Sequence, residues 1–330
     1  MKTKQWTRLV AVAALSITVL TPRQLLAQKM KVGYWTSGFS LGFGAVMEQV
    51  KFAEKEGLNI EWVKFAEVNG PTRAIVSNAI DVAFAAPSTN SMGIAADGVP
   101  VKIVLATQVA EAQIVVSDGS PIKTMTDLKG KKVGMSPPGS ANHAITTAIL
   151  DLNFGIKPND YSIAPGNEAQ LAQFLIQKKI DAGVLRSVTI AQMGDVKLRR
   201  LGGLVDEWKK LTKSDAPPIL AVTIAYSDYL AKNPDAAAKF IVAARNALQY
   251  GSKNKPRVAE ILQKAANMNA TDSRAYASQW DGAYIATFES QDIASLKRMY
   301  DIVKAASGAT KDPPDSAFDT GPYTRSKQMK

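Results

Sequence analysis

Apolar positions along this chain switch between two periods. Met30–Trp35, Asn59–Phe65 and Asp81–Ala85 are short β-type runs, and Phe43–Glu56 and Pro71–Asn78 between them carry helical spacing. Gly57 stops the first of these helices. The order then returns. Strands are expected near Lys131–Met135, Tyr161–Ala164 and Asp181–Leu185, with helices over Ala141–Phe154, closed by Gly155, and Glu168–Lys178. Short strings repeat with it. Lys31-Val32-Gly33 recurs as Lys132-Val133-Gly134, and Ile80-Asp81 recurs as Ile180-Asp181. Strands that alternate with helices of this length predict open, mostly parallel sheets, here in two similar lobes.

The rest of the chain reads differently. Ala221–Tyr226 predicts one more strand, and the pattern after it is nearly all helical. Asn233-Pro234 supplies a cap and an N1 proline for a helix to about Tyr250. Pro256 starts another, and Ser290 caps a third that ends at Gly308. The tail from Lys311, with Pro313-Pro314, reads as irregular and partly disordered.

The stretch Ser120–His143 carries the most local chemistry. Thr124 and Asp127 have capping-box spacing, and Gly130 stops that short helix. Ser136–Ser140 cannot continue the strand before it, because two prolines and a glycine break it. A helix starting at Ala141 then presents free N–H groups and a positive dipole end, a ready place for an anion.

The N-terminus bears on compartment. Lys2, Lys4 and Arg8 precede an apolar run, Leu9–Leu20, that is too short to span a bilayer. Leu25-Leu26-Ala27 offers a small residue before a cut ahead of Gln28. Residues 1–27 therefore read as a secretory signal peptide. No later segment is long and apolar enough to cross a membrane as a helix. Removing Lys2, Lys4, Arg8 and Arg23 lowers the formal charge from +11 to +7. That excess favours anionic partners, but it is spread out. The runs Lys129–Lys132, Lys197–Arg200 and Lys209–Lys213 read as solvated faces, and no nucleic-acid partner is expected. The absence of cysteine removes disulfides, thiol nucleophiles and thiolate metal sites together.

Ligands of open parallel sheets bind at the carboxyl ends of the strands. Those loops hold Trp35, Ser37, Gly38 and Phe39 after the first strand, and Pro87, Ser88 and Thr89 after the third. In the second half they hold Gly139, Ser140, Ala141, Asn142 and His143, and then Arg186 and Ser187. Such Ser, Thr, Asn and Gly loops offer donors without catalytic power of their own. Each polar residue has a second reading as the cap of the helix that follows it. Tyr34 alternates with Trp35 and belongs in the core.

A family likeness rests on Val32-Gly33-Tyr34, Ile80-Asp81-Val82, Asp97–Lys102, Ser120–Lys123, Asp127–Gly134, Gly139-Ser140 and Ile180-Asp181-Ala182. Through these, Lys31–Phe65, Asn78–Val104 and Ser120–Ala191 resemble the periplasmic substrate-binding proteins of ABC importers, in the subgroup for aliphatic sulfonates, taurine, nitrate and thiamine precursors. The resemblance implies an α/β, two-lobed (type II clamshell) periplasmic-binding-protein fold with a helical C-terminal region. It implies crossovers near Ala112 and Pro217, so that lobe 1 is 28–112 plus 217–330 and lobe 2 is 113–216. It further implies a monomer in the periplasm, with a small-molecule ligand and an ABC permease as partners, and no cofactor or metal. Many such proteins carry an aromatic-acidic string where this chain has Arg186-Ser187-Val188. A Gly-rich or acidic loop is replaced by Ala86-Pro87-Ser88. The pocket is therefore expected to hold a different ligand.

Arg186 is the leading candidate for specificity. A guanidinium facing the cleft would grip a sulfonate, carboxylate or nitrate oxygen in two-pronged fashion. A surface ion pair is its other reading. Trp35 and Phe39 would line the pocket. Enzyme readings find little support. His143 is the single histidine, placed either to touch a ligand or to cap a helix, and no G-x-S-x-G elbow accompanies it. No HExxH or EF-hand string occurs. Gly42-Phe43-Gly44 begins like a dinucleotide fingerprint, but Met47 stands at its third glycine. Three classes fit: a transport-binding protein for a small anionic solute, a sensor subunit binding the same solute, and, through the resemblance, an enzyme of thiamine or menaquinone precursor synthesis on this fold.

Overall fold

The computed structural model describes residues 29–138, 140–307 and 310–329. The expected signal segment 1–27, the cut ahead of Gln28, Gly139 and the helix stop at Gly308 lie outside the described residues.

Elements alternate along the first third. They are β1 (Met30–Trp35), α1 (Gly38–Gln49), α2 (Phe52–Lys55), β2 (Ile60–Phe65), α3 (Gly70–Val76), β3 (Val82–Pro87), α4 (Ser88–Ala96) and β4 (Val101–Val109). The next set is β5 (Ala112–Ser117), β6 (Lys132–Met135), α5 (Ala141–Phe154), β7 (Ser162–Pro165), α6 (Glu168–Ile176), β8 (Ala182–Arg186), α7 (Ser187–Gln192), β9 (Leu198–Gly203) and α8 (Leu204–Thr212). Then come β10 (Ile219–Tyr226), α9 (Ser227–Lys232), α10 (Ala236–Lys253), α11 (Lys255–Ala266), α12 (Ala270–Ser278) and α13 (Trp280–Ala283). β11 (Tyr284–Thr287), α14 (Ser290–Ser307) and α15 (Gly321–Ser326) close the chain.

Among the described residues the strands form two sheets, ordered β11-β4-β10-β3-β1-β2 and β7-β6-β8-β5-β9. The sheets are mixed, not mostly parallel. Each has a parallel trio, β2-β1-β3 and β7-β6-β8. Each then adds antiparallel strands: β10 between β3 and β4 in the first, β5 between β8 and β9 in the second. The chain leaves the first sheet through Ala110-Glu111 and returns to it through 213–218. The strand beside each trio thus arrives from the far side of a crossing, which local periodicity cannot reveal.

The repeated strings occupy equivalent places. The amides of Lys31 and Lys132 donate to Asp81 Oδ2 (2.8 Å) and Asp181 Oδ2 (2.7 Å). Gly33 and Gly134 lie where a Cβ would stand 2.6 Å from Ile80 Cδ1 and 2.5 Å from Ile180 Cδ1. β1 and β6 are central strands with helices over them, so both of their faces are buried. Tyr34 is in the core as expected, packed edge-on to Trp62, and Trp35 on the opposite face is half-buried.

Several elements depart from the sequence expectation. α1 starts at Gly38 rather than Phe43, and Lys51, with φ +58°, separates it from α2. Asp235, not Asn233, is the residue before α10, so Pro234 precedes the helix. The tail is ordered where described: Phe318 bridges to Ile103, and Tyr323 and Ser326 of α15 are buried against α10. Lys197–Arg200 is more than a solvated face. The Arg199 guanidinium donates to the carbonyls of Asp118, Ser120 and Ile122 and staples that loop. The Thr124–Asp127 capping box forms as expected, on a 3-10 turn.

Candidate functional site

β8 ends at Arg186, which is the residue before α7. Its side chain is only 13% exposed. Glu168, the first residue of α6, accepts the Arg186 backbone N–H (3.1 Å) and the Thr189 hydroxyl (2.7 Å) on one carboxylate oxygen. Its other oxygen stands 3.4 Å from Arg186 Nε, an ion pair too long for a good hydrogen bond. The Nη atoms of Arg186 form no hydrogen bond among the described residues.

The first sheet meets this guanidinium with backbone and aromatic surface. The Arg186 Cζ lies 5.8 Å from the Phe39 ring centroid. A Cβ on Gly38 would stand 2.9 Å from Arg186 Nη1 and 2.9 Å from the Trp35 ring, and Gly38 has φ +53°. Glycine is therefore required there twice, for its backbone and for its missing side chain. The Trp35 indole N–H donates to the Ala66 carbonyl at 3.1 Å. Ala85, in the left-handed region at φ +52°, presents its carbonyl to the Ser40 hydroxyl (3.1 Å), and Gln108 Nε2 donates to the same hydroxyl oxygen (3.1 Å).

Two tyrosines from the C-terminal region hold the start of α1. The Tyr276 hydroxyl donates to the Gly38 carbonyl (2.7 Å) and accepts the Gly42 amide (3.0 Å). The Tyr284 hydroxyl donates to the Phe39 carbonyl (2.6 Å). The two hydroxyl oxygens are 2.9 Å apart. Both rings pack edge-on to Phe39. This explains the glycines of Gly42-Phe43-Gly44 without a dinucleotide. A Cβ on Gly42 would stand 2.5 Å from the Tyr276 ring, and one on Gly44 would stand 2.3 Å from the Tyr34 ring.

Glu111 sits in the crossing between β4 and β5. Its carboxylate accepts the Ser187 amide (3.2 and 3.3 Å) and the Ser187 hydroxyl (2.5 Å). Burial pushes its carboxyl up to about 7, against the pull of the Ser187 hydrogen bonds and the Arg186 charge. Two carboxylates and one guanidinium thus surround the start of α7.

The structure brings Trp35, Gly38, Phe39, Arg186 and Ser187 together. Ser37 is exposed and makes no cap bond. Ser88 and Thr89 are buried at the start of α4, where the Ser88 hydroxyl donates to the Ile219 carbonyl (2.7 Å), and Pro87 precedes them. At α5 the Ser140 hydroxyl accepts the His143 amide (3.3 Å), a cap reading. Ala141 and Asn142 are buried there, and Asn142 Oδ1 and His143 Nε2 have no partner among the described residues. Burial lowers the His143 pKa and favours the neutral ring. No hydrogen bond or ion pair joins Pro87–Thr89 or Ser140–His143 to Arg186 among the described residues. Sequence reasoning missed Glu111, Glu168, Tyr276 and Tyr284, whose partners lie far away in the chain. No group of three or more metal-ligating side chains occurs among the described residues.

A family model described as NMT1/THI5 like matches residues 48–259. A protein of Brucella abortus named as a binding protein is 25% identical over 258 residues, 76% of this chain and 76% of its own. Among solved structures, the periplasmic aliphatic sulphonate binding protein SsuA from Escherichia coli matches with a TM-score of 0.74 at 18% identity. The match covers 88% of this chain and 92% of that one. The alkanesulfonate-binding protein SsuA from Xanthomonas axonopodis pv. citri, bound to MOPS, matches with a TM-score of 0.66 at 17% identity, over 87% and 95% of the chains. The fold is therefore the α/β fold of periplasmic binding proteins, built here from two mixed sheets flanked by helices.

Proposed function

The chain belongs to the NMT1/THI5-like family, and from that premise we propose that it is the solute-binding component of an ABC-type import system. The solute is a small molecule with an anionic group, of the sulfonate, nitrate or carboxylate class. The observation that carries this reading is the Arg186 guanidinium. It is nearly buried on the Phe39 ring, and its Nη edge has no protein partner among the described residues. A guanidinium so placed recognises an oxyanion at two points. The α5 start, where Ser140 satisfies the His143 amide only, supplies further N–H donors to the same solute.

The named solutes of the structural relatives belong to those proteins and serve as guides for the ligand panel. In this reading the protein acts by capture and hand-over to a membrane permease, with no catalytic step. It is a monomer working in the periplasm after a cut ahead of Gln28. Its lobes are 28–112 plus 217–330 and 113–216, hinged at the two crossings.

A thermal-shift screen across sulfonates, inorganic anions, carboxylates and pyrimidines tests the reading. A ligand at a hundred times its Kd adds about 2.7 kcal/mol of stability. Calorimetry with the best ligand should then show that Arg186→Ala costs on the order of 2–4 kcal/mol in binding, because a desolvated charge pair is lost. A best ligand without an anionic group, or unchanged affinity in a folded Arg186→Ala protein, sinks the proposal.

A further inference from the structure

The start of α1 is held in an unusual way. Its own flanking serine, Ser37, caps nothing. Instead, two phenols from residues more than 230 positions away bond backbone groups of its first turns. Gly38 O and Gly42 N face each other across the first turn, and the Tyr276 hydroxyl touches both. Burial pushes both phenols above the ordinary tyrosine range, so they stay protonated and can donate.

What these phenols hold is the surface that Arg186 meets. Gly38 lies against Arg186 Nη1, and Phe39 lies under its guanidinium. Phe39 is in turn wedged edge-on between the Tyr276 and Tyr284 rings. α12, which carries Tyr276, also packs on α7, the helix that Arg186 precedes. One short helix of the C-terminal region therefore packs both on the helix that Arg186 precedes and on the α1 residues that meet its guanidinium.

We infer that Tyr276 and Tyr284 are positioning residues for solute capture, fixing Gly38 and Phe39 at the height at which Arg186 presents its Nη edge. The inference rests on the anion reading of Arg186. Neither hydroxyl needs to touch the solute. The single proton of each hydroxyl goes to a carbonyl of α1, and Tyr276 also accepts the Gly42 amide. Removing one hydroxyl while keeping its ring leaves the aromatic packing in place. Loss of the Tyr276 hydroxyl frees the Gly38 carbonyl and the Gly42 amide, loss of the Tyr284 hydroxyl frees the Phe39 carbonyl, and in either case the Phe39 platform shifts.

The test is a double-mutant cycle on the full chain, read by calorimetry with methanesulfonate as probe. Tyr276→Phe and Tyr284→Phe are each made alone and in an Arg186→Ala background, with circular dichroism confirming the fold. The expected result is a roughly tenfold weaker Kd for each Phe variant when Arg186 is present, and no further weakening when it is absent. A role in general stability would weaken binding equally in both backgrounds, and that outcome overturns the inference, as does an unchanged Kd. Failure of the unmodified protein to bind methanesulfonate is a different result: it rejects the sulfonate member of the class, and the same cycle is then read with nitrate and with acetate; failure with all three rejects the anion reading of Arg186, and the inference falls with it. If one Phe variant does not fold, the other decides.

Discussion

α1 and α5 follow equivalent strands and begin in different ways. β1 and β6 carry the same Lys-Val-Gly string, donate an amide to equivalent aspartates, Asp81 and Asp181, just before the neighbouring strand, and set equivalent glycines, Gly33 and Gly134, under an isoleucine. Beyond the strand the likeness ends. α5 is capped within its own loop by Ser140. α1 has no such cap and is gripped by Tyr276 and Tyr284 from the far end of the sequence. The shared part is the packing of a parallel trio, which any solute-neutral scaffold needs. The differing part lies at the strand ends, where ligands of such sheets sit. One helix start is thus a local structure, and the other depends on the fold of the whole chain.

The largest way to break that comparison is to fill the space the tyrosines use. Gly42→Ala places a methyl 2.5 Å from the Tyr276 ring and 2.6 Å from the Tyr284 hydroxyl. Overpacking of this kind should cost about 3 kcal/mol in urea unfolding. A loss below about 1 kcal/mol would mean that the grip on α1 is loose.

Next is the crossing itself. Glu111 titrates at about 7 in the folded protein against 4.5 ordinarily, because it is buried. The folded state therefore binds the proton more tightly. The stabilisation is fully present below pH 4.5 and is lost as pH rises through 7, on the order of 3 kcal/mol in all. Unfolding curves at pH 5 and pH 8 should show this decline, and Glu111→Gln should flatten it. Parallel profiles for the two proteins would contradict the burial of Glu111 at Ser187.

The shared half of the comparison can be tested by symmetry. Asp81→Ala and Asp181→Ala each remove a carboxylate that accepts the amide at the start of the neighbouring strand. Each should cost about 1.5 kcal/mol. A marked inequality would show that the two trios are not mechanically alike. The smallest test separates the helix starts. Ser140→Ala should lose about 1 kcal/mol with its cap, while Ser37→Ala should stay within about 0.5 kcal/mol.

Much of this was readable in the chain, for reasons that separate near from far. β1, β6 and α5 fell where the pattern put them, and α5 matched from Ala141 to Phe154 with Gly155 in the left-handed region after it. Those elements are written in adjacent residues. No element is expected from the sequence over 101–117, where β4 and β5 are buried almost throughout and the crossing between them is two residues long. The mixed character of the sheets was hidden for the same reason, since β10 and β5 reach their partners only after a crossing. Arg186 stood out as a lone cation at a strand end. Tyr276 and Tyr284 did not, because a phenol in a helical stretch reads as core until the backbone it grips is known.

The double crossing of the chain between the sheets sets an order of assembly. The second sheet draws on β5 to β9, a continuous stretch from Ala112 to Gly203, so every partner it needs has been synthesised once Gly203 has emerged. The first sheet cannot close then. β4 has no neighbour in it until β10, whose last residue is Tyr226, and its other edge waits for β11. The sheet encoded first is therefore the one completed last. Loop closure over more than a hundred residues precedes its central pairing, which is the kind of step that slows folding.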